Sequence, residues 1–175
     1  DIPGLQRVKA TCEQARKKGL AIVSGLCWRY HLGVGETVKR IHDGRIGEIV
    51  AIQETYVCGP YANNQRKPEW SEMEWQMRNW YNFTWLCGDS LVEQAVHNAD
   101  KIMWIMHDQP PISAVGVGGR AVPANGGNIY DHFAVVYEYA NGVKLFAQCR
   151  QMGGCSVDVS DHLIGTNGSA EIMKA

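Results

Sequence analysis

The strongest constraint on this chain lies towards its C-terminus, where β-type segments follow one another with little between them. They are ISAVGVGGR (112–120), IYDHFAVVYEYA (129–140), VKLFAQCRQ (143–151), SVDVSDHLIG (156–165) and SAEIM (169–173), rich in β-branched and aromatic residues. Asn141-Gly142 predicts a two-residue hairpin turn with positive φ at both positions, and Thr166-Asn167-Gly168 predicts another turn. Sequential strands joined by tight turns make an antiparallel sheet, one face of which a preceding helix can cover.

That helix is predicted over Ser90–Met106 (SLVEQAVHNADKIMWIM). Further upstream, residues 3–18 read as a helix with Pro3 in its first turn and Arg16, Lys17 and Lys18 at its C-terminal end. Gly19 stops it, and LAIVSG (20–25) follows as a short, doubly buried strand of the parallel-sheet kind. Residues 33–44 read as a helix, 46–57 as a strand and 58–72 as a surface loop. The aromatics of 73–86 (Trp75, Trp80, Tyr81, Phe83, Trp85) read as a short helix and turn lying over the domain. The fold class is therefore α+β: a predominantly antiparallel open sheet covered by helices on one face, preceded by the last helix and strand of an α/β domain. A helix feeding a buried strand so near the start marks the chain as an internal piece of something larger.

Composition removes several classes of function. Apolar residues make up 45% and charged residues 20%, which fits a globular chain, and a net charge of -1 without a basic cluster argues against nucleic acid. No apolar run is long enough to cross a bilayer. Six cysteines without a CxxC pair read as reduced and mostly buried, and no Cys/His spacing marks a metal site.

Candidate chemistry concentrates on the Ser90 helix. Apolar residues surround much of it, yet Glu93, His97 and Asp100 recur at i, i+4 and i+7 and stack on one face, with Gln94 and Asn98 beside them. An ionisable stripe on a buried helix is costly unless it is paired or faces a cavity, and a histidine held by a carboxylate is a serviceable general acid/base. Two alternatives stand beside this. Ser90-x-x-Glu93 is also a capping box, and His97 is equally readable as a satisfied core histidine. Gly33-x-Gly35 and Gly116-x-Gly118-Gly119 both lack the strand–turn–helix context of a dinucleotide fingerprint.

The string GDSLVEQAVHNADKIMW resembles the Gfo/Idh/MocA oxidoreductase motif, in which a glycine-led helix carries an acid, a histidine four residues later, and a second acid. LAIVSGLCWRYH, KRIHDGRIGEIV, GVGGR, NIYDHFAVVYEYANG and GTNG are similar to further family segments in the same order, and WSEMEWQMRNW points to one branch. The resemblance implies that residues 1–27 are the tail of a Rossmann-like dinucleotide-binding domain. It implies that 28–175 are a substrate-binding and oligomerisation domain, incomplete at its C-terminal end. The family's glycine fingerprint and Glu-Lys-Pro motif lie outside the chain, so the chain alone is expected to be inactive.

The same resemblance implies hydride transfer between a sugar or inositol-like polyol hydroxyl and NAD or NADP, the cofactor being held mainly outside this chain. It makes His97 and Glu93 catalytic, with Glu93 standing where the family usually has Asp. Arg29 and Tyr30 fall on a turn edging the cleft, Arg29 near the cofactor as well. Arg78, Asn79, Trp80, Asn98 and Asp100 are placed around the substrate, and Arg150 and Gln151, at the end of a central strand, are expected at the same cleft. Alternatives are redox-assisted glycoside cleavage and a non-catalytic oligomerisation module, with Phe133, Val135, Tyr137 and Tyr139 supplying the open sheet face to a second copy. A bacterial, cytoplasmic protein is expected, with twin-arginine export as the alternative.

Overall fold

The structure, a computed structural model, describes residues 2–123 and 126–173. Helix α1 (Ile2–Lys17), a 3-10 turn (Cys27–Tyr30) and helix α2 (Leu32–His42) lead into strand β1 (Ile49–Cys58). Helix α3 (Glu72–Arg78), a 3-10 turn (Trp80–Asn82), α4 (Thr84–Cys87), α5 (Ser90–Glu93) and α6 (Val96–Ile105) follow. The chain then runs through β2 (Ser113–Gly119), β3 (His132–Glu138), β4 (Lys144–Gln151), β5 (Asp158–Gly165) and β6 (Ser169–Met173).

These strands form one open sheet in the order β2-β3-β4-β1-β5-β6. The early strand β1 enters between β4 and β5, running parallel to β4 and antiparallel to β5. Every other neighbouring pair is antiparallel, so the α+β class holds. Helices α2 and α6 pack on one face. In α2, His31 Nδ1 accepts from the Val34 amide at 3.2 Å and caps the helix, while Val34, Val38 and Ile41, spaced i, i+4, i+7, are buried. Ile52, Leu145 and Leu163 rise from the sheet to meet Ile102 and Ile105 of α6. Burying each such side chain contributes roughly 1.5–3 kcal/mol.

Five expectations need correction. The cysteines are not mostly buried: Cys12, Cys27 and Cys155 are exposed, and Cys87 and Cys149 alone are buried. The segment 20–25 forms no strand: Leu20, Ile22 and Val23 are exposed, because a strand exists only with a neighbour to pair with, and none of the described strands lies beside it. At the Asn141-Gly142 turn only Gly142 has positive φ, +86°. The Gly142 amide donates to Tyr139 O at 2.9 Å, and the Val143 amide donates to Asn141 Oδ1 at 3.2 Å, so the hairpin is a wider one than two residues. The Ser90 helix is not continuous but broken between α5 and α6. Finally, Phe133, Tyr137 and Tyr139 pack with the helix-covered core. The strand alternation puts Val136 and Phe146, a cross-strand pair, on the opposite face with Val115 and Val117, and all four are exposed. Among the described residues no helix is long and apolar enough to cross a membrane.

Candidate active site

The break in the Ser90 helix positions the candidate catalytic pair. Both the Gln94 and Ala95 amides donate to Ser90 O, at 3.0 and 3.1 Å, so the second bond spans five residues and widens the turn. Gln94 takes φ -111° there, and α6 restarts at Val96. His97 thus sits in the first turn of α6 and Glu93 at the end of α5. The capping box does not form: the Ser90 amide donates instead to Asp89 Oδ1 at 2.7 Å. Glu93 Oε2 and His97 Nδ1 are both buried and have no hydrogen-bond partner. Buried polar atoms without partners are uncommon, and each calls for an explanation.

Gln94, the residue after Glu93, belongs to a polar wall at the ends of the parallel strands β1 and β4. Cys58 and Gln151 are register partners there. The Gln151 side-chain amide donates to Gln94 Oε1 at 2.7 Å, and the Cys58 thiol donates to Gln151 Oε1 at 3.1 Å and Gln94 Oε1 at 3.4 Å. Tyr61 is buried, and its phenol is pushed well above its ordinary range, first by burial and then by the nearby charge of Glu93. Tyr61 and Gln151 also line a small cavity with Arg120, Tyr130 and Asp131. Its volume, about 20 Å³, admits a water and no sugar ring.

The remaining predicted residues scatter. Arg29 Nε donates to both oxygens of Asp100 at 2.9 Å and its Nη2 to Asp108 at 3.1 Å, while its guanidinium lies 5.7 Å from the centroid of the Trp104 ring. Both Arg29 and Asp100 are thereby committed to each other on the flank of α6. Tyr30 is exposed. Arg78 pairs with Glu74 at 3.0 Å and lies over Trp70. Asn79 is buried and ties the 58–72 loop, accepting from the Asn64 amide at 2.6 Å and donating to Asn64 O at 3.2 Å. Trp80 is part-exposed and stacks on Tyr81, which stacks in turn on Tyr61. Asn98 donates to Thr55 O at 3.0 Å and Ser160 O at 3.5 Å, the carbonyls of one cross-strand pair, and so pins α6 to β1 and β5. Gln151 belongs to the wall beside Glu93. Arg150, next to it in the strand, points to the open face and reaches Ser156 O, because alternate strand residues face opposite ways.

A model of the "Oxidoreductase family, C-terminal alpha/beta domain" matches residues 38–175. The chain belongs to the Gfo/Idh/MocA oxidoreductase family. No curated protein sequence matches this Gfo/Idh/MocA chain, but solved structures do. An oxidoreductase domain protein from Kribbella flavida superposes with TM-score 0.75 at 16% identity, over 94% of this chain and 43% of that one. The WlbA dehydrogenase of Bordetella pertussis, solved with NADH and UDP-GlcNAcA, gives 0.71 at 15%, over 95% and 46%. The myo-inositol dehydrogenase of Lactobacillus casei, solved with NAD(H) and myo-inositol, gives 0.63 at 16%, over 88% and 40%. The chain spans less than half the length of these relatives, and at such identities the likeness concerns the fold.

The described residues of this Gfo/Idh/MocA chain contain no strand, glycine turn and helix that would cradle a pyrophosphate. They also contain no group of His, Cys, Asp or Glu able to hold a metal. Three features escaped the sequence reading. Asp89, at φ +79°, caps α5 and also accepts from the Tyr130 amide at 3.1 Å, tying the 126–130 loop to the site. Tyr61 lay in a stretch that reads only as loop. Lys101 and Asp161 form a buried ion pair beside Glu54, and the buried registers of β1 and β5 were the available signal. A larger cavity, about 520 Å³, lies at the far end of α6 between His42, Ile105 and Asn141, away from His97.

Proposed function

We propose that the complete protein transfers hydride between a sugar or polyol hydroxyl and NAD(P), with this chain supplying the substrate-side acid/base. The observation that carries the reading is the pair Glu93 and His97, one turn apart across a helix break, each with a buried atom lacking a partner. A group that must change protonation during turnover is poorly served by a saturated hydrogen-bond shell, and catalytic hydrogen bonds tighten when substrate arrives. The solved relatives holding myo-inositol or UDP-GlcNAcA support this substrate class.

In this reading the substrate hydroxyl gives its proton to His97 Nε2, and Nδ1–H turns to Glu93, whose carboxylate holds the imidazolium charge. Tyr61 backs Glu93, close enough for the Glu93 charge to raise its phenol further. Gln94 and Gln151 lock each other's amides and keep the wall rigid. The Tyr61–Tyr81–Trp80 stack offers an aromatic edge to the apolar face of a sugar ring. The dinucleotide, when bound, supplies the two-electron acceptor; since the described residues form no cradle for its pyrophosphate, we place its binding chiefly outside this chain. Residues 1–27 then belong to the dinucleotide domain and 28–175 to the substrate domain, and the chain alone is inactive.

The test is a panel of sugars and inositols given to the full-length protein with NAD or NADP, monitoring net cofactor reduction and glycoside cleavage side by side. Net reduction with a polyol supports the dehydrogenase. Cleavage of a glycoside without net reduction replaces it with redox-assisted hydrolysis.

A second reading concerns assembly. Val115, Val117, Val136 and Phe146 form an exposed apolar patch on the open sheet face, and we propose a second copy of the protein as its occupant. Phe146→Ser in the full-length protein is expected to lower the molar mass seen by light scattering; an unchanged mass rejects this interface.

A further inference from the structure

Helix α6 carries a second set of ionisable side chains that the mechanism above leaves unused. Lys101, one turn beyond His97, is buried, with Nζ 2.5 Å from Asp161 Oδ2 and 5.4 Å from the centroid of the Trp28 ring. Glu54 on β1 is the cross-strand partner of Asp161, is equally buried, and its Oε2 has no hydrogen-bond partner. Two carboxylates therefore face one ammonium between the sheet and the helix. Tyr137 from β3, Tyr139 just beyond its end and Cys149 from β4 also sense the Glu54 charge, but none is a cation. His162 adds a weak pull on Asp161 from its own strand.

The charge count decides the state of this group. With Lys101 and Asp161 ionised and Glu54 carrying a proton, the group is neutral; ionising Glu54 leaves a net negative charge in a low-dielectric interior. Burial acts in that direction, holding the Glu54 carboxyl up to about 8; it also raises the Asp161 carboxyl, which Lys101 pulls back down, to about 6, so between those values Asp161 is the ionised member. The group is also mechanically central. Lys101 and Asn98 join α6 to β1 and β5, and successive residues Asp100 and Lys101 meet successive residues Arg29 and Trp28 of the 3-10 turn.

We propose that Lys101 is a positioning residue for His97, bolting α6 to the sheet through Asp161, and that the bolt holds only while Glu54 keeps a proton. This rests on the reading of His97 as the proton acceptor. Amide hydrogen exchange of α6 in the full-length protein, followed from about pH 6 to about pH 9 against the β3–β4 amides as internal standard, tests it without substrate. In wild type, α6 protection falls through the alkaline range while β3–β4 protection holds. Glu54→Gln keeps α6 protected throughout. Lys101→Met exchanges α6 roughly tenfold faster or more and lowers kcat with KM little changed. A Glu54→Gln profile identical to wild type, or Lys101→Met with wild-type exchange, overturns the proposal. If Lys101→Met does not fold, the comparison of Glu54→Gln with wild type decides. If no polyol is oxidised, the catalytic reading fails while the exchange result still judges the bolt.

Discussion

The two ends of α6 obey opposite rules. At its C-terminal end Ile102 and Ile105 are fully buried against Ile52 and Leu163, and this apolar packing holds the helix together with the buried Lys101–Asp161 pair. At its N-terminal end the buried atoms are His97 Nδ1, Asn98 Oδ1 and, across the break, Glu93 Oε2, none with a partner. Along the ten residues of α6, roughly 15 Å, a region optimised for stability gives way to one that leaves stability unrealised. Glu54 Oε2 beside Lys101 is unpaired as well, so the mark of chemistry at the N-terminal end is an unpaired imidazole one turn from an unpaired carboxylate, an acid/base combination that Glu54 lacks.

Mutations at the two ends should therefore have different consequences. The largest effect is expected where the packed half contains charge: Lys101→Met leaves the buried Asp161 without its cation and should cost about 3–5 kcal/mol in urea unfolding. A loss below about 1 kcal/mol would mean the pair is dispensable. Ile102→Ala, removing a fully buried side chain, should cost about 3 kcal/mol in the same assay.

Next comes pH. Glu54 keeps its proton up to about 8 in the folded protein but only to its ordinary 4.5 when unfolded. Between those values the folded state binds more protons, so stability is complete below 4.5 and falls as pH rises towards 8. The limiting slope is about 1.4 kcal/mol per pH unit. Denaturation midpoints at about pH 7 and about pH 8, both above the Asp161 carboxyl that burial holds up to about 6, should differ in wild type and converge in Glu54→Gln; equal slopes would refute the assignment. The smallest change should be His97→Ala, within about 1 kcal/mol of wild type because no hydrogen bond to Nδ1 is lost. A loss of several kcal/mol would return His97 to the status of a core histidine.

Much of this fold was legible because its cause is local. The strands of 112–173, the α2 stripe of Val34, Val38 and Ile41, and the polar stripe of the Ser90 helix all announce themselves by period. What was illegible depended on distant partners. The i, i+4, i+7 spacing of Glu93, His97 and Asp100 assumed an unbroken helix, whereas Gln94 is engaged by Gln151 and Cys58 and the turn opens before His97. Asp100 then turns to Arg29, seventy-one residues away in sequence. LAIVSG has the composition of a strand but no described neighbour to make it one. The face carrying Phe133, Tyr137 and Tyr139 was misassigned because alternation gives two faces without saying which one the helices cover.

The central claim is that the unsaturated end of α6 is the chemical end. The most direct test measures kcat/KM and the denaturation midpoint of His97→Ala in the full-length protein, with whichever polyol wild type oxidises. The account predicts a loss of about 10²–10⁴-fold in kcat/KM with an almost unmoved midpoint and retained cofactor affinity. Wild-type turnover in the variant, or a loss of activity that merely follows unfolding, would contradict it.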